Sequence, residues 1–116
     1  MSENNKSTSI QINVHLDNDN IPDKIDWMAS DGDGHAQECK AMLLALFDKE
    51  SKDTLKIDLW TKEMQVMEMD RFFFQTLRSL SDTYYRATNN AQLASAMQQF
   101  VQYFGEETSI LPKNEP

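Results

Sequence analysis

The sequence has little of the residue chemistry from which disulfide, zinc and phosphate-binding sites are built. Its 116 residues include one cysteine, two histidines, three glycines and three prolines. A single cysteine excludes an internal disulfide, and so few glycines and prolines are not typical of a low-complexity chain. No apolar run approaches the roughly 20 residues of a membrane-spanning helix. Together with the length, these absences predict one folded domain.

Positive charge is also scarce, since 11 basic residues stand against 19 acidic ones and the net charge is −8. The basic residues are scattered along the chain, and an acidic surface repels phosphate backbones and anionic lipid. We therefore expect no nucleic-acid partner and no direct membrane insertion. The polar N-terminus, MSENNKSTS, has no apolar segment of the kind an export signal needs, so we expect a cytoplasmic location.

Catalytic and metal-binding motifs are missing as well. The stretch DGDGH at residues 31–35, with Glu38, resembles a calcium loop but places Ala36 where the template needs glycine and Met42 where it needs glutamate. His15 and His35 lack the spacing of a zinc site. Cys39 could be a nucleophile, but it begins an apolar run, and we interpret it as a buried structural thiol. We predict no catalytic residue, no metal, no cofactor and no enzymatic activity.

Four segments show the patterns of β-strands. Apolar and polar residues alternate in the first, second and fourth, whereas the third is apolar on both faces and is typical of a central strand. Turn-forming residues separate the segments at 17–20 and 31–34. The segments are SIQINVHLD from Ser9, a strand centred on Ile25, Trp27 and Ala29, CKAMLLALFD from Cys39, and TLKIDLWT from Thr54. We expect the third and fourth to form a hairpin.

A change of period near Gln65 or Val66 predicts a helix that ends at Asn89 and Asn90, followed by a second helix closed by Gly105. The first helix has one apolar face through Met69, Phe73, Leu77, Leu80 and Tyr84, and the second has one through Leu93, Met97, Phe100, Val101 and Phe104. On the first helix a further apolar line, Met67, Phe74 and Tyr85, lies about 140 to 160 degrees away from Met69. This line either packs against the following helix or contacts another molecule. Beyond the helices, Ile110 and Leu111 could form a packing clip.

The element order predicts an α+β fold, a four-stranded antiparallel sheet followed by two C-terminal helices packed on one face. We expect a disordered lead at residues 1–8, a single domain at 9–106 and a polar tail at 107–116. The strand alternation places Met28, Trp60 and one side of the third strand (Met42, Leu44, Leu46) opposite Ile25, Trp27, Leu55 and Ile57. Either the first set is an exposed patch for association, or the tail or a loop covers Trp60. The candidate interaction surface comprises Met28, Trp60, Met67, Phe74 and Tyr85.

Residues 56–64, KIDLWTKEM, and residues 72–88, FFFQTLRSLSDTYYRAT, resemble the gliding-motility protein family GldC. The resemblance extends to residues 10–27, 31–48 and 96–106 and so covers about residues 10–106. It implies a small cytoplasmic component of the apparatus for gliding over surfaces, which is linked to a secretion system in the cell envelope. It implies no enzymatic residues.

Together with the residue patterns, the resemblance favours a non-enzymatic protein that binds another copy of itself or a motility component. The alternative is a holdase-like chaperone for export substrates, because four strands followed by two helices is also the order in the bacterial export chaperone SecB. That likeness concerns topology and not residues.

Overall fold

The computed structural model describes residues 6–113, and the chain divides into two compact units between Met64 and Gln65. We call residues 6–64 the strand unit and residues 65–113 the helix unit. The first five residues of the predicted lead and the last three of the predicted tail lie outside the described residues. The expectation of a single domain over residues 9–106 stays a prediction, as does the packing of the helices on a sheet face.

The strand unit contains five strands, which are β1 (Ile10–Leu16), β2 (Pro22–Ala29), β3 (Gln37–Cys39), β4 (Ala41–Phe47) and β5 (Thr54–Trp60). They form a three-stranded sheet of order β1-β2-β3 and a two-stranded sheet of β4 and β5. All pairs are antiparallel. The α+β class with two helices after the strands is therefore confirmed, whereas the prediction of one four-stranded sheet is wrong.

The break at Lys40 explains the difference. The predicted third strand began at Cys39, but the chain bends at Lys40, so β3 pairs with β2 while β4 pairs with β5. At the bend the carbonyl of Lys40 accepts a hydrogen bond from the Thr61 N–H at 2.8 Å. The apolar run AMLLALF contains no residue that marks such a bend, and the three-residue β3 before it, QEC, has no strand pattern.

The β1–β2 hairpin agrees with the predicted alternation. Its register pairs Ile12 with Trp27 and Val14 with Ile25, so these apolar side chains share one face, and Ile25 is fully buried there. Asn13 and Asp26 are paired on the opposite face. The turn is held by the carboxylate of Asp17, which accepts hydrogen bonds from the N–H groups of residues 19 and 21 at 2.8 and 3.0 Å.

The helix unit contains α1 (Val66–Thr88) and α2 (Ala91–Glu107). The predicted start of α1 and the Asn89–Asn90 junction are confirmed. Glu68 accepts a hydrogen bond from the Gln65 N–H at 3.0 Å, Asn89 adopts the left-handed conformation with φ 58°, and the side chain of Asn90 accepts from the Leu93 N–H at 3.1 Å. These contacts satisfy backbone groups that the helix ends leave unpaired.

Gly105 does not close α2, which continues to Glu107, so this part of the prediction is wrong. Gly105 is instead buried where the helices meet. A β-carbon built on it would lie 2.7 Å from Phe74 Cε1 and 2.7 Å from Leu111 Cδ1. The glycine therefore lets Phe74 and Leu111 contact the α2 backbone, and Leu111 acts as the predicted packing clip, its N–H bound to the Gly105 carbonyl at 2.9 Å.

Candidate interaction surfaces

The register of β4 and β5 decides which residues share a face of this hairpin, which we call the ribbon. Ala41 lies opposite Trp60 and Leu44 opposite Ile57. Paired residues of an antiparallel ladder lie on the same face. Trp60 therefore lies on the same face as Ala41 and Leu43 of β4, whereas Leu44 lies on the opposite face. The prediction that Trp60 shares a face with Met42, Leu44 and Leu46 is wrong.

The corrected register leaves apolar residues on both faces of the ribbon. One face is entirely apolar and consists of Met42, Leu44, Leu46, Leu55, Ile57 and Leu59. The other carries Ala41, Leu43, Ala45, Phe47 and Trp60, along with Thr54, Lys56 and Asp58. Trp60 is 55% exposed and Phe47 is 70% exposed. A two-stranded ribbon with this composition cannot bury either face by itself.

Met28 occupies different surroundings from Trp60. It is half-buried on the face of the first sheet that also carries Asn13, His15 and Asp26. Asn13 Nδ2 donates to Asp26 Oδ1 at 2.8 Å, and His15 Nε2 lies 3.1 Å from Asp26 Oδ2. The hydrogen bond from Asn13, followed by that from His15, holds the pKa of Asp26 below its ordinary value. This carboxylate is therefore satisfied by its neighbours and stabilises the sheet.

A second satisfied carboxylate joins the β1–β2 turn to the segment after β5. Lys62 Nζ donates to Asp17 Oδ2 at 2.8 Å. This contact, with the two backbone N–H groups of the turn, lowers the pKa of Asp17 to about 2. The same pairing raises the pKa of Lys62 above its ordinary value. Both shifts have the sign of an ion pair that fixes a connection within the strand unit.

The further apolar line on α1, which we call the stripe (Met67, Phe74 and Tyr85), is exposed at both ends and buried in the middle. Met67 is 78% exposed and Tyr85 is 43% exposed, whereas Phe74 between them is only 5% exposed. Phe74 contacts the Gly105 position of α2, and the Arg78 guanidinium lies 5.2 Å from the centre of its ring. Phe74 therefore belongs to the helix core, in agreement with packing against the following helix. A contact of Met28, Trp60, Met67, Phe74 or Tyr85 with a partner stays a prediction.

An apolar cavity of about 380 Å³ lies between α1 and α2. Its lining residues are Leu77, Leu93, Ala96, Met97, Phe100 and Val101. Leu93 and Phe100 are also among the exposed apolar residues of the helix unit, together with Tyr103. The sequence pattern placed Leu93 and Phe100 on the apolar face of α2, but helical spacing alone does not distinguish a buried face from one that extends to the surface.

A second cavity, of about 570 Å³, lies beside the start of α1 and is lined by charged and hydroxyl side chains that include Asp70, Arg71 and Thr108. The Thr108 hydroxyl donates to the Phe104 carbonyl at 2.7 Å, so it satisfies the end of α2 and is not paired with a base. Thr108 therefore has a structural role at the helix end.

Cys39 was the possible nucleophile, and the DGDGH loop at residues 31–35 was the possible metal site. Burial raises the pKa of the half-buried Cys39 thiol, the opposite of what an activated nucleophile needs. In the loop, Asp33 Oδ1 accepts from the His35 N–H at 3.0 Å, and Gly34 adopts φ 83°. Among residues 6–113, no three His, Cys, Asp or Glu side chains are grouped to hold a metal ion.

The described residues contain no helix that has both the length and the apolar character needed to cross a membrane. Comparison with curated proteins and with solved structures gives no match. Comparison with family models matches residues 22–110 to the family described as gliding motility-associated protein GldC-like. The match begins at the start of β2, includes β3 to β5 and both helices, and ends at Ile110. Because this match spans well over half of the sequence, the chain belongs to the GldC-like family of gliding motility-associated proteins.

Proposed function

We propose that this chain is a non-enzymatic, cytoplasmic component of the gliding-motility machinery that acts by binding another protein. Membership of the GldC-like family supports the cellular process, and that family is not a known enzyme family. The observation that carries the molecular part is the ribbon, which has apolar side chains on both faces in a chain of net charge −8. Apolar surface of this kind commonly marks sites of protein association.

The helix unit offers a second contact surface in this proposal. Met67 and Tyr85 are the exposed members of the stripe on either side of the buried Phe74. Of the two, Met67 has the larger exposed fraction. Because exposed apolar side chains contribute little to folding, their replacement separates binding from stability better than replacement of Phe74 does.

Genetic complementation tests the proposal. In a gliding bacterium that lacks its own copy of the gene, the wild-type chain is expected to restore surface spreading. Trp60→Glu and Met67→Glu are expected to reduce spreading at unchanged protein level and unchanged helical circular dichroism.

Gln75→Glu is the matched control, because it adds the same charge at an exposed position of α1 without removing apolar surface. It should restore spreading like the wild type. Full spreading with both Trp60→Glu and Met67→Glu would contradict the proposal that these residues contact a partner.

The holdase is the second candidate function. The observation that favours it is the amount of exposed apolar surface, which occurs in the ribbon and also beside the apolar cavity of the helix unit. A holdase should bind several unrelated unfolded chains at low micromolar concentration and delay their aggregation. A specific motility adaptor should bind none of them, so the same titration with two unrelated unfolded proteins distinguishes the two functions.

A further inference from the structure

The outer edge of β5 has no strand partner among the described residues. Within residues 6–113, β5 forms a ladder with β4 alone, and although it approaches β2 it forms no ladder with that strand. An unpaired edge presents N–H and C=O groups that another strand can bind. Natural proteins protect such edges with short strands, proline, bulges or charged side chains, especially lysine, or cover them with a helix or loop. The seven-residue β5 has neither proline nor a bulge, and its lysine is paired with Asp58.

The sequence of β5, TLKIDLW, is complementary to itself about its central residue. Leu55 and Leu59 are equidistant from Ile57, and Lys56 and Asp58 are also equidistant from it and carry opposite charges. In two antiparallel copies related by a twofold axis at Ile57, Lys56 of each copy lies opposite Asp58 of the other. Opposite charges at directly facing positions stabilise an antiparallel pair.

We propose that the chain forms a twofold dimer in which β5 of one copy pairs antiparallel with β5 of a second copy, with Ile57 facing itself. The two ribbons then join into one four-stranded sheet of order β4-β5-β5-β4. Its apolar face combines Leu55, Ile57 and Leu59 of both copies with the apolar residues of the two β4 strands. Three or more strands with an apolar face reach the size at which a sheet is stable, which a lone ribbon does not.

The charges select this register over its neighbours. A ladder centred on Lys56 places two lysines opposite each other, and one centred on Asp58 does the same with two carboxylates. Both juxtapositions are repulsive. The register centred on Ile57 also gives the full seven-residue overlap. In the single chain, Lys56 Nζ and Asp58 Oδ2 already form an ion pair, so both charges lie on the same face. The dimer extends that pair into a group of four alternating charges.

This inference rests on the proposed function, association through exposed apolar surface, and names a second copy as the partner of the strand unit. The occupant is a second copy because the charge pattern of β5 matches itself. The β4 edge, AMLLALF, has no charges that could select a partner or a register.

Charge exchange tests the proposal in the full chain. Sedimentation equilibrium of the wild type at tens of micromolar is expected to give about twice the 13.4 kDa mass of one chain. Lys56→Asp alone, or Asp58→Lys alone, replaces two attractive contacts across the axis by two repulsive ones. The dissociation constant of the dimer is expected to be at least about tenfold higher for each variant than for the wild type.

Mixing these two variants is the decisive measurement. In the mixture, two acidic positions of one chain face two basic positions of the other, so a heterodimer should form at concentrations at which each variant alone is mainly monomeric. The ion pair within each chain remains broken in the mixture, so recovery cannot come from restored folding of the single chain. A wild-type monomer, single variants that dimerise as tightly as the wild type, or a mixture that stays monomeric would each overturn the proposal.

A cross-link provides a readout that does not depend on charge variants. In a Cys39→Ser background, Ile57→Cys places two thiols at the twofold axis, where facing Cα atoms of an antiparallel pair lie about 4.5 to 5.5 Å apart, within disulfide range. Mild oxidation should give a covalent dimer. Leu55→Cys is the matched control, because this position faces residue 59 of the other copy and should remain uncross-linked. Equal cross-linking of the two variants would overturn the register.

Failure of the dimer and failure of the proposed function are distinguishable. If the chain is monomeric but Trp60→Glu and Met67→Glu still abolish spreading while Gln75→Glu does not, the dimer is wrong and association with another protein stands. If the dimer forms and none of these variants affects spreading, the dimer stands and the proposed partner surface is wrong.

Discussion

The two units of this chain bury their apolar residues in different ways. In the helix unit, Phe74, Ala94 and Val101 are buried between two helices that approach closely at Gly105. In the described part of the strand unit, Ile25 is the buried apolar residue, and the ribbon has no fully buried apolar side chain. Two helices can close a small core because one stripe on each is enough. A two-stranded ribbon has two faces and closes neither.

Polar groups are used differently as well. In the strand unit, the carboxylates of Asp17 and Asp26 accept hydrogen bonds from side chains distant in sequence and tie the strands and turns together. In the helix unit, the side chains at the junction, such as Asn90, satisfy the backbone of the helix that they begin. In the strand unit, these titratable contacts therefore connect segments that are far apart in sequence.

Among the substitutions predicted to affect stability, removal of the Phe74 ring from the core of the helix unit should lower the free energy of unfolding most. Phe74→Ala is expected to lower the free energy of unfolding by about 3 to 5 kcal/mol, because it leaves a cavity between α1 and α2. Chemical denaturation followed by circular dichroism measures the change. Phe73→Ala, at a neighbouring position that is 39% exposed, is the control and should cost clearly less. Equal losses would mean that Phe74 is not the centre of the helix core.

A smaller loss of stability is expected when a single methyl group is added at Gly105. Gly105→Ala would place its β-carbon 2.7 Å from Phe74 Cε1 and Leu111 Cδ1, so those side chains must move. We expect a cost of about 1 to 2 kcal/mol, since strain exceeds the gain in helix propensity. The double variant Gly105→Ala, Leu111→Ala relieves part of the clash and should lose less than the sum of the two single variants. Strict additivity would show that Leu111 does not contact this position.

The pH dependence of stability should report on the Asp17 contacts of the strand unit. The pKa of Asp17 is about 2 in the folded chain and 3.8 ordinarily. A lowered folded-state pKa contributes stability that is present above the unfolded value and is lost as pH falls towards the folded one. Between about pH 4 and pH 2, the thermal midpoint should therefore fall more steeply in the wild type than in Asp17→Asn. Asp19→Asn is the matched control for removal of one carboxylate from the same turn.

The smallest effect is expected at Thr61, whose side-chain oxygen is buried and has no hydrogen-bond partner among the described residues. Thr61→Val removes a buried polar atom that forms no hydrogen bond, so the free energy of unfolding should stay within about 0.5 kcal/mol or rise. Thr108→Val removes a hydroxyl that donates to the Phe104 carbonyl at 2.7 Å and should cost about 0.5 to 1.5 kcal/mol. A larger loss at Thr61 than at Thr108 would indicate a partner for the Thr61 hydroxyl.

The helix unit could be predicted closely from local patterns. The start of α1, the Asn89–Asn90 junction and the role of Leu111 follow from periodicity, capping residues and short-range contacts. The end of α2 was missed because glycine at that point usually terminates a helix, whereas here its missing side chain is needed for the close approach of Phe74.

The candidate surface was only partly predictable. The exposure of Trp60 agrees with one of the two alternatives from the sequence, an exposed patch, and not with cover by the tail or a loop. The predicted neighbours of Trp60 on the ribbon face are wrong, because strand alternation determines which residues share a face within one strand but leaves the pairing between strands open. The exposed Phe47 was overlooked for a related reason: in a strand that is apolar on both sides, no local signal distinguishes a covered face from an open one.

By itself, the sequence determined the α+β class, the helix limits near Gln65 and Asn89, and the acidic character of the chain, because these depend on local periodicity, capping and composition. The tertiary structure alone decided the division into two sheets at Lys40, the burial of Phe74 against Gly105, and the register that determines which residues share each face of the ribbon. Those features depend on contacts between residues far apart in the chain, and no local pattern specifies which distant partner a strand or a side chain will meet.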